Sequence, residues 1–90
     1  MMRLRMVRPR YALIARGKGT GWVVASRFPD LESCNEAKSS LTEVEAVCVP
    51  LTDPRVQAYY DVVNRVRRRL RLRSIRPDEL IKWPPRGSLW

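Results

Sequence analysis

Apolar residues along the chain fall into three short strand-like runs and two helical ones. Tyr11-Ala12-Leu13-Ile14-Ala15 and Trp22-Val23-Val24-Ala25 flank the loop Gly17-Lys18-Gly19-Thr20-Gly21, and this arrangement predicts a β-hairpin. Gly17, Gly19 and Gly21 offer the positive φ that a tight reversal demands. Upstream, Arg3-Leu4-Arg5-Met6 alternates polar and apolar, so the first run could begin there, with Pro9 at an edge or a bulge. A helix is expected from Pro29-Asp30. Asp30 is a good N-cap, Glu32 suits the first turn, and Leu31, Cys34, Ala37 and Leu41 form a buried stripe with Glu32, Glu36 and Ser39 outward. Val44 to Leu51 then reads as a third strand, ended by Pro50.

The second helix has the clearest signals. Asp53 caps it, and Pro54 occupies the first helical position, where its missing N–H costs nothing. Val56, Tyr59, Val63, Val66 and Leu70 repeat at three- and four-residue spacing and define one seam. Arg65, Arg68 and Arg69 lie opposite that seam, with Arg67 and Arg71 at its flanks. The helix is expected to end near Leu70 or Arg73. After it, Pro77 to Ile81 could make one more turn, and Trp-Pro-Pro-Arg-Gly-Ser-Leu-Trp closes the chain as a proline-broken tail with Trp83 and Trp90.

These elements predict an α+β fold: a small antiparallel sheet (β-hairpin, helix, strand) with a second, long Arg-rich helix packed on it, both helices on one face. The expected organisation is a basic arm or edge strand over 1–9, a single domain over 10–73 and a Trp/Pro tail over 74–90. Residues 3–9 and 71–77 share the pattern R-L-R-x-[VI]-R-P, a weak echo in a chain of biased composition.

Ninety residues bury a modest core, about 60–65% of the surface exposed when unfolded, and leave little room for a deep catalytic pocket. Charge changes the picture more. The net charge is +9, from 18 basic residues against 9 acidic, and fifteen of the basic residues are Arg. A GC-rich genome explains a preference for Arg over Lys but does not explain the net charge. Arginine forks onto phosphate and stacks on bases, where lysine is a solvated point charge. The charge is also sorted. Arg3, Arg5, Arg8, Arg10, Arg16, Lys18 and Arg27 precede any acid, an acidic middle follows (Asp30, Glu32, Glu36, Glu43 and Glu45 against Lys38), and residues 53–73 return to seven Arg against Asp53 and Asp61. No apolar run approaches the ~20 residues of a membrane span, and Tyr11 to Ala15 is too short for a signal-peptide core, so cytoplasmic placement is the default expectation.

Catalytic chemistry finds little to stand on. The chain has no histidine, hence neither the commonest general base nor the commonest metal ligand, and two cysteines alone fall short of a zinc site. No enzyme, metal or cofactor is expected. Glu43 and Glu45 read as a solvated face. Arg16 to Gly21 fails the phosphate-loop pattern, since Gly19 follows Lys18 where Ser or Thr belongs and the loop joins two strands. It reads as a hairpin turn, with a basic finger carrying Arg16 and Lys18 as the functional alternative. Cys34 and Cys48 occupy inward positions of neighbouring elements, close enough to pair. A disulfide closing about 14 residues would stabilise by roughly 3 kcal/mol. In a reducing cytosol they stay buried thiols, which is the expectation here.

The Arg run is the strongest functional signal. Its bland reading is a solvated helix face. Against that stands the scarcity of local acids, since only Asp61 precedes an arginine, Arg65, at the favourable four-residue spacing. The expected function is therefore a non-enzymatic nucleic-acid or polyanion binder. Arg65, Arg67, Arg68, Arg69, Arg71 and Arg73 would contact phosphates, joined by Arg3, Arg5, Arg8, Arg10, Arg16 and Lys18, with Trp83 or Trp90 free to stack on bases or docked in the core. The alternative is a small protein-interaction subunit or inhibitor: part of a virion, ribonucleoprotein or other assembly, phage-encoded forms included, meeting an acidic protein surface.

Overall fold

Ala12, Leu13, Ile14 and Ala15 are buried one after another, which a strand permits only when both of its faces are covered. In the computed structural model, which describes residues 5–83, they belong to the central strand of the fold. Seven elements follow in order: β1 (Arg5–Val7), β2 (Tyr11–Arg16), β3 (Val23–Phe28), α1 (Leu31–Lys38), β4 (Glu45–Pro50), α2 (Pro54–Arg69) and β5 (Ile81–Trp83). The main sheet is antiparallel with order β3-β2-β4, and β1 pairs with β5 in a separate two-stranded ribbon.

The α+β class holds, but the helices do not share a face. Ala12 and Ile14 point to one side, where they pack with Val49 of β4 and with Val56 and Tyr60 of α2. Leu13 points to the other, against Phe28 and Cys34 of α1. One helix therefore covers each side of β2, and the expectation of both on one face is corrected.

Local chemistry sets the element ends. In the hairpin the Thr20 N–H donates to the Gly17 carbonyl at 3.2 Å, and the Thr20 hydroxyl accepts from the Gly17 N–H at 2.8 Å. Of the three hairpin glycines only Gly19 has a positive φ, 78°, as the third residue of a turn with Lys18 before it requires. Ala25 has no partner on β2, because the register steps from Leu13–Ser26 to Ile14–Val24. Asp30 caps α1 by accepting from the Ser33 N–H at 2.7 Å. The α1 stripe is narrower than expected. Cys34 is fully buried, but Leu31 is 44% exposed, and Leu41 lies exposed beyond the helix end.

Cys34 and Cys48 are bonded, their Cα atoms 6.1 Å apart, and this corrects the expectation of free thiols. The bond staples α1 to β4 across a separation of 14 residues, which by loop closure stabilises by about 3 kcal/mol.

Asp53 caps α2 through the Arg55 N–H at 2.9 Å, with Pro54 behind it. The expected seam is only partly used. Val56 and Tyr60 are buried and Tyr59 and Val63 half-buried, while Val66 and Leu70 are 51% and 64% exposed. A seam with a 3.5-residue repeat drifts by about 20° per heptad around a straight helix, so the line of contact runs through Val56, Tyr60 and Val63 toward Arg67 instead.

The expected boundaries at 9/10 and 73/74 do not fall at gaps in the packing. Arg5 faces Trp83 and Val7 faces Ile81 in the β1–β5 ribbon, and Trp83 packs edge-on against Phe28 with ring centroids 5.9 Å apart. The Arg27 Nη1 donates to the carbonyls of Pro77 at 2.6 Å and Glu79 at 3.0 Å. Asn64 holds Ile75 by both of its backbone groups, each at 2.8 Å. Residues 71–77 form no strand, so the sequence echo has no structural counterpart. Among the described residues no helix is long and apolar enough to cross a membrane.

Candidate nucleic-acid interface

The expected arginines divide into those the fold uses and those it does not. Arg67 donates its Nε–H to the Arg73 carbonyl at 2.7 Å, tying the end of α2 to the chain that leaves it. Arg73 pairs with Glu79 at 2.8 Å, and the Arg76 N–H donates to the same carboxylate at 2.7 Å. These two contacts, the Arg73 guanidinium first, hold the Glu79 carboxyl below its ordinary range. Arg8 reaches Asp78 at 3.4 Å, and Arg76 meets the same carboxylate at 3.1 Å. The β1 arm and the segment after α2 thus meet in an ion-paired network rather than a bare basic patch.

The hairpin follows the same logic. Arg16 pairs with Glu45 at 2.6 Å and lies over the Trp22 ring at 4.7 Å. Arg55, absent from the expected site, also covers that ring, at 4.9 Å, while pairing with Asp53 at 3.0 Å. Its guanidinium, followed by its backbone N–H, lowers the Asp53 carboxyl below its ordinary value. Lys18 makes no side-chain hydrogen bond or ion pair among the described residues. Trp83 is docked against Phe28 in the core; Arg3 and Trp90 lie outside the described residues.

Four arginines near the end of α2 stand apart. Arg65, Arg68, Arg69 and Arg71 are exposed and make no side-chain hydrogen bond or ion pair among the described residues. Arg5 and Arg10 are likewise unpaired, but neither sits in such a group. Arg65, Arg68 and Arg69 are three and four residues apart and so share one helical face. The single acid that the spacing offered, Asp61, accepts instead from the Gln57 amide at 2.9 Å. Cations in a last helical turn favour the helix dipole, each by about 0.3–1 kcal/mol, which explains Arg68 and Arg69 in part and Arg65 not at all.

No known protein family, curated protein or solved structure matches the chain. The site must be read from its own chemistry. Among the described residues, no three His, Cys, Asp or Glu side chains gather in a metal-holding group. Guanidinium groups without acids bind anions and orient them; they offer no nucleophile or base at neutral pH.

One feature of this surface was missed from the sequence. Val62, Val66 and Leu70 form an exposed row at four-residue spacing, 55%, 51% and 64% accessible. At its start lies an open groove of about 430 Å³ bordered by Trp22, Val23, Ala58, Tyr59 and Val62. Val66 and Leu70 belong to the expected core seam, and only Val62, one position outside it, signals a second apolar line beside Arg65 and Arg69.

Proposed function

We propose that the chain is a non-enzymatic binding module that contacts nucleic acid or a similar polyanion through Arg65, Arg68, Arg69 and Arg71. One observation carries the reading: these four guanidinium groups cluster at one end of α2 without an acid among the described residues, whereas Arg8, Arg16 and Arg73 each pair with one. Repulsion of that kind is relieved by an external polyanion. Lys18, Arg5 and Arg10 are secondary contacts.

Titration with duplex DNA across a salt series tests this. Each phosphate neutralised releases counterions, so log affinity falls against log salt with a slope near −0.9 per contact, about −3 to −4 for this cluster. Binding that survives near physiological salt with such a slope supports the reading. Binding seen only in dilute buffer would overturn it.

A second reading, a protein-interaction subunit, is favoured by the Val62–Val66–Leu70 row. Its occupant would be an acidic amphipathic segment of a partner protein, apolar side chains on the row and carboxylates toward Arg65 and Arg69. Purified protein that carries nuclease-sensitive material and is retained on heparin fits the first reading; protein that comes clean and fails to bind DNA fits the second.

A further inference from the structure

Arg71 has φ 58°, the one non-glycine residue in the left-handed region among those described. There an L-residue's Cβ crowds the following carbonyl, and glycine is the usual occupant. The cause is the way α2 ends. The Leu72 N–H donates to the Arg67 carbonyl at 2.8 Å and the Arg71 N–H to the Arg68 carbonyl at 3.0 Å. That pair of bonds is a Schellman turn, which requires the left-handed conformation at the residue after the cap, Leu70. Both bonds use backbone groups alone, so glycine would make them without the crowding.

The Arg71 side chain returns nothing to the fold in exchange. It is exposed and has no hydrogen bond or ion pair among the described residues, in contrast to Arg67 and Arg73 on either side, which are both engaged. Strained backbone positions of this kind cluster at binding and switch sites. Arg71 also adjoins Arg68 and Arg69, so a fourth guanidinium is added just past the helical face those residues share.

We infer that Arg71 is an anchoring contact for a backbone phosphate of the bound nucleic acid, kept at a strained position for binding and against stability. This rests on the proposed polyanion reading and adds to it that the left-handed position of Arg71 is kept for that contact rather than for the fold. A side chain kept only for folding cannot lose strain and gain stability when removed, so the two readouts move in opposite directions.

The test compares Arg71→Gly, Arg71→Gln and Arg65→Gln with the parent, measuring thermal unfolding and duplex DNA affinity across salt. Arg71→Gly should raise Tm by roughly 2–5 °C as the crowding is relieved. It should also weaken affinity by about threefold to tenfold and flatten the salt slope by about one. Arg71→Gln should show the same loss of affinity without the gain in Tm. If Arg71→Gly leaves affinity and slope unchanged while Arg65→Gln alters them, the anchoring role falls and the polyanion reading stands. If Arg71→Gly lowers Tm, the side chain supports the turn and the inference is overturned. A parent without salt-dependent binding overturns both.

Discussion

The two ends of α2 are built from similar residues and put to different uses. At the first, Asp53 caps the helix, Val56 is fully buried, and Tyr60 packs beside it against Ala12, Ile14 and Val49. At the second, Val66 and Leu70 stand in solvent, and Arg65, Arg68 and Arg69 meet no acid among the described residues. The first half holds the fold; the second is held by it, through Arg67, Asn64 and the segment that follows. These valines and arginines are kept in place but not covered, and hydrophobic periodicity alone does not distinguish such a surface from core.

Replacing a buried valine with a charge is the strongest test of this contrast. Val56→Asp should abolish cooperative unfolding, since an unpaired carboxylate cannot be carried in that cluster. Val66→Asp, ten residues on in the same helix, should unfold within about 1 kcal/mol of the parent by urea denaturation. Equal losses would place the C-terminal half in the core. Next in size, the double change Cys34→Ala with Cys48→Ala should cost about 3 kcal/mol, measured the same way against the oxidised parent. Asn64→Ala should cost about 1–2 kcal/mol because both backbone groups of Ile75 lose their partner, whereas Arg65→Ala should stay within about 0.5 kcal/mol.

The sequence made much of the fold legible wherever a local rule decided it. Asp30, Asp53 and Pro54 mark helix starts by their own hydrogen-bonding chemistry, and Pro50 ends β4 as expected. What depended on distant partners was less legible. The unbroken run Ala12-Leu13-Ile14-Ala15 marks a strand covered on both sides, a clue that the expectation of both helices on one face passed over. The engagement of Arg8, Arg16, Arg67 and Arg73 rests on Asp78, Glu45, the Arg73 carbonyl and Glu79, which tertiary structure brings near and residue spacing does not reveal. The cluster of Arg65, Arg68 and Arg69 was legible because a helix places such neighbours together whatever surrounds it.

Smaller effects come with pH. Asp53 and Glu79 have carboxyls lowered in the folded state by Arg55 and Arg73, so their contribution is complete above the ordinary carboxylate values, 3.8 and 4.5, and is lost as pH falls through the folded ones. Asp53→Asn and Glu79→Gln should each make the acid limb of a stability–pH curve shallower. Burial raises the Tyr60 phenol above its ordinary 10.0, so stability should decline as pH rises beyond that value, and Tyr60→Phe should blunt the decline. Neither limb involves the arginine cluster, and Arg65→Gln should leave both unchanged.

The division between engaged and unengaged arginines is tested most directly by the salt slope of duplex DNA binding in two triple variants. Changing Arg65, Arg68 and Arg69 to Gln should flatten the slope by roughly 2–3 while stability stays within about 0.5 kcal/mol per site. Changing Arg27, Arg67 and Arg73 to Gln removes the same charge but should leave the slope within about one of the parent and lower Tm instead, since these side chains hold Pro77, Glu79 and the Arg73 carbonyl. Equal flattening in both variants would mean that only net charge matters. An unchanged slope in the first would show that Arg65, Arg68 and Arg69 are no more than a solvated face.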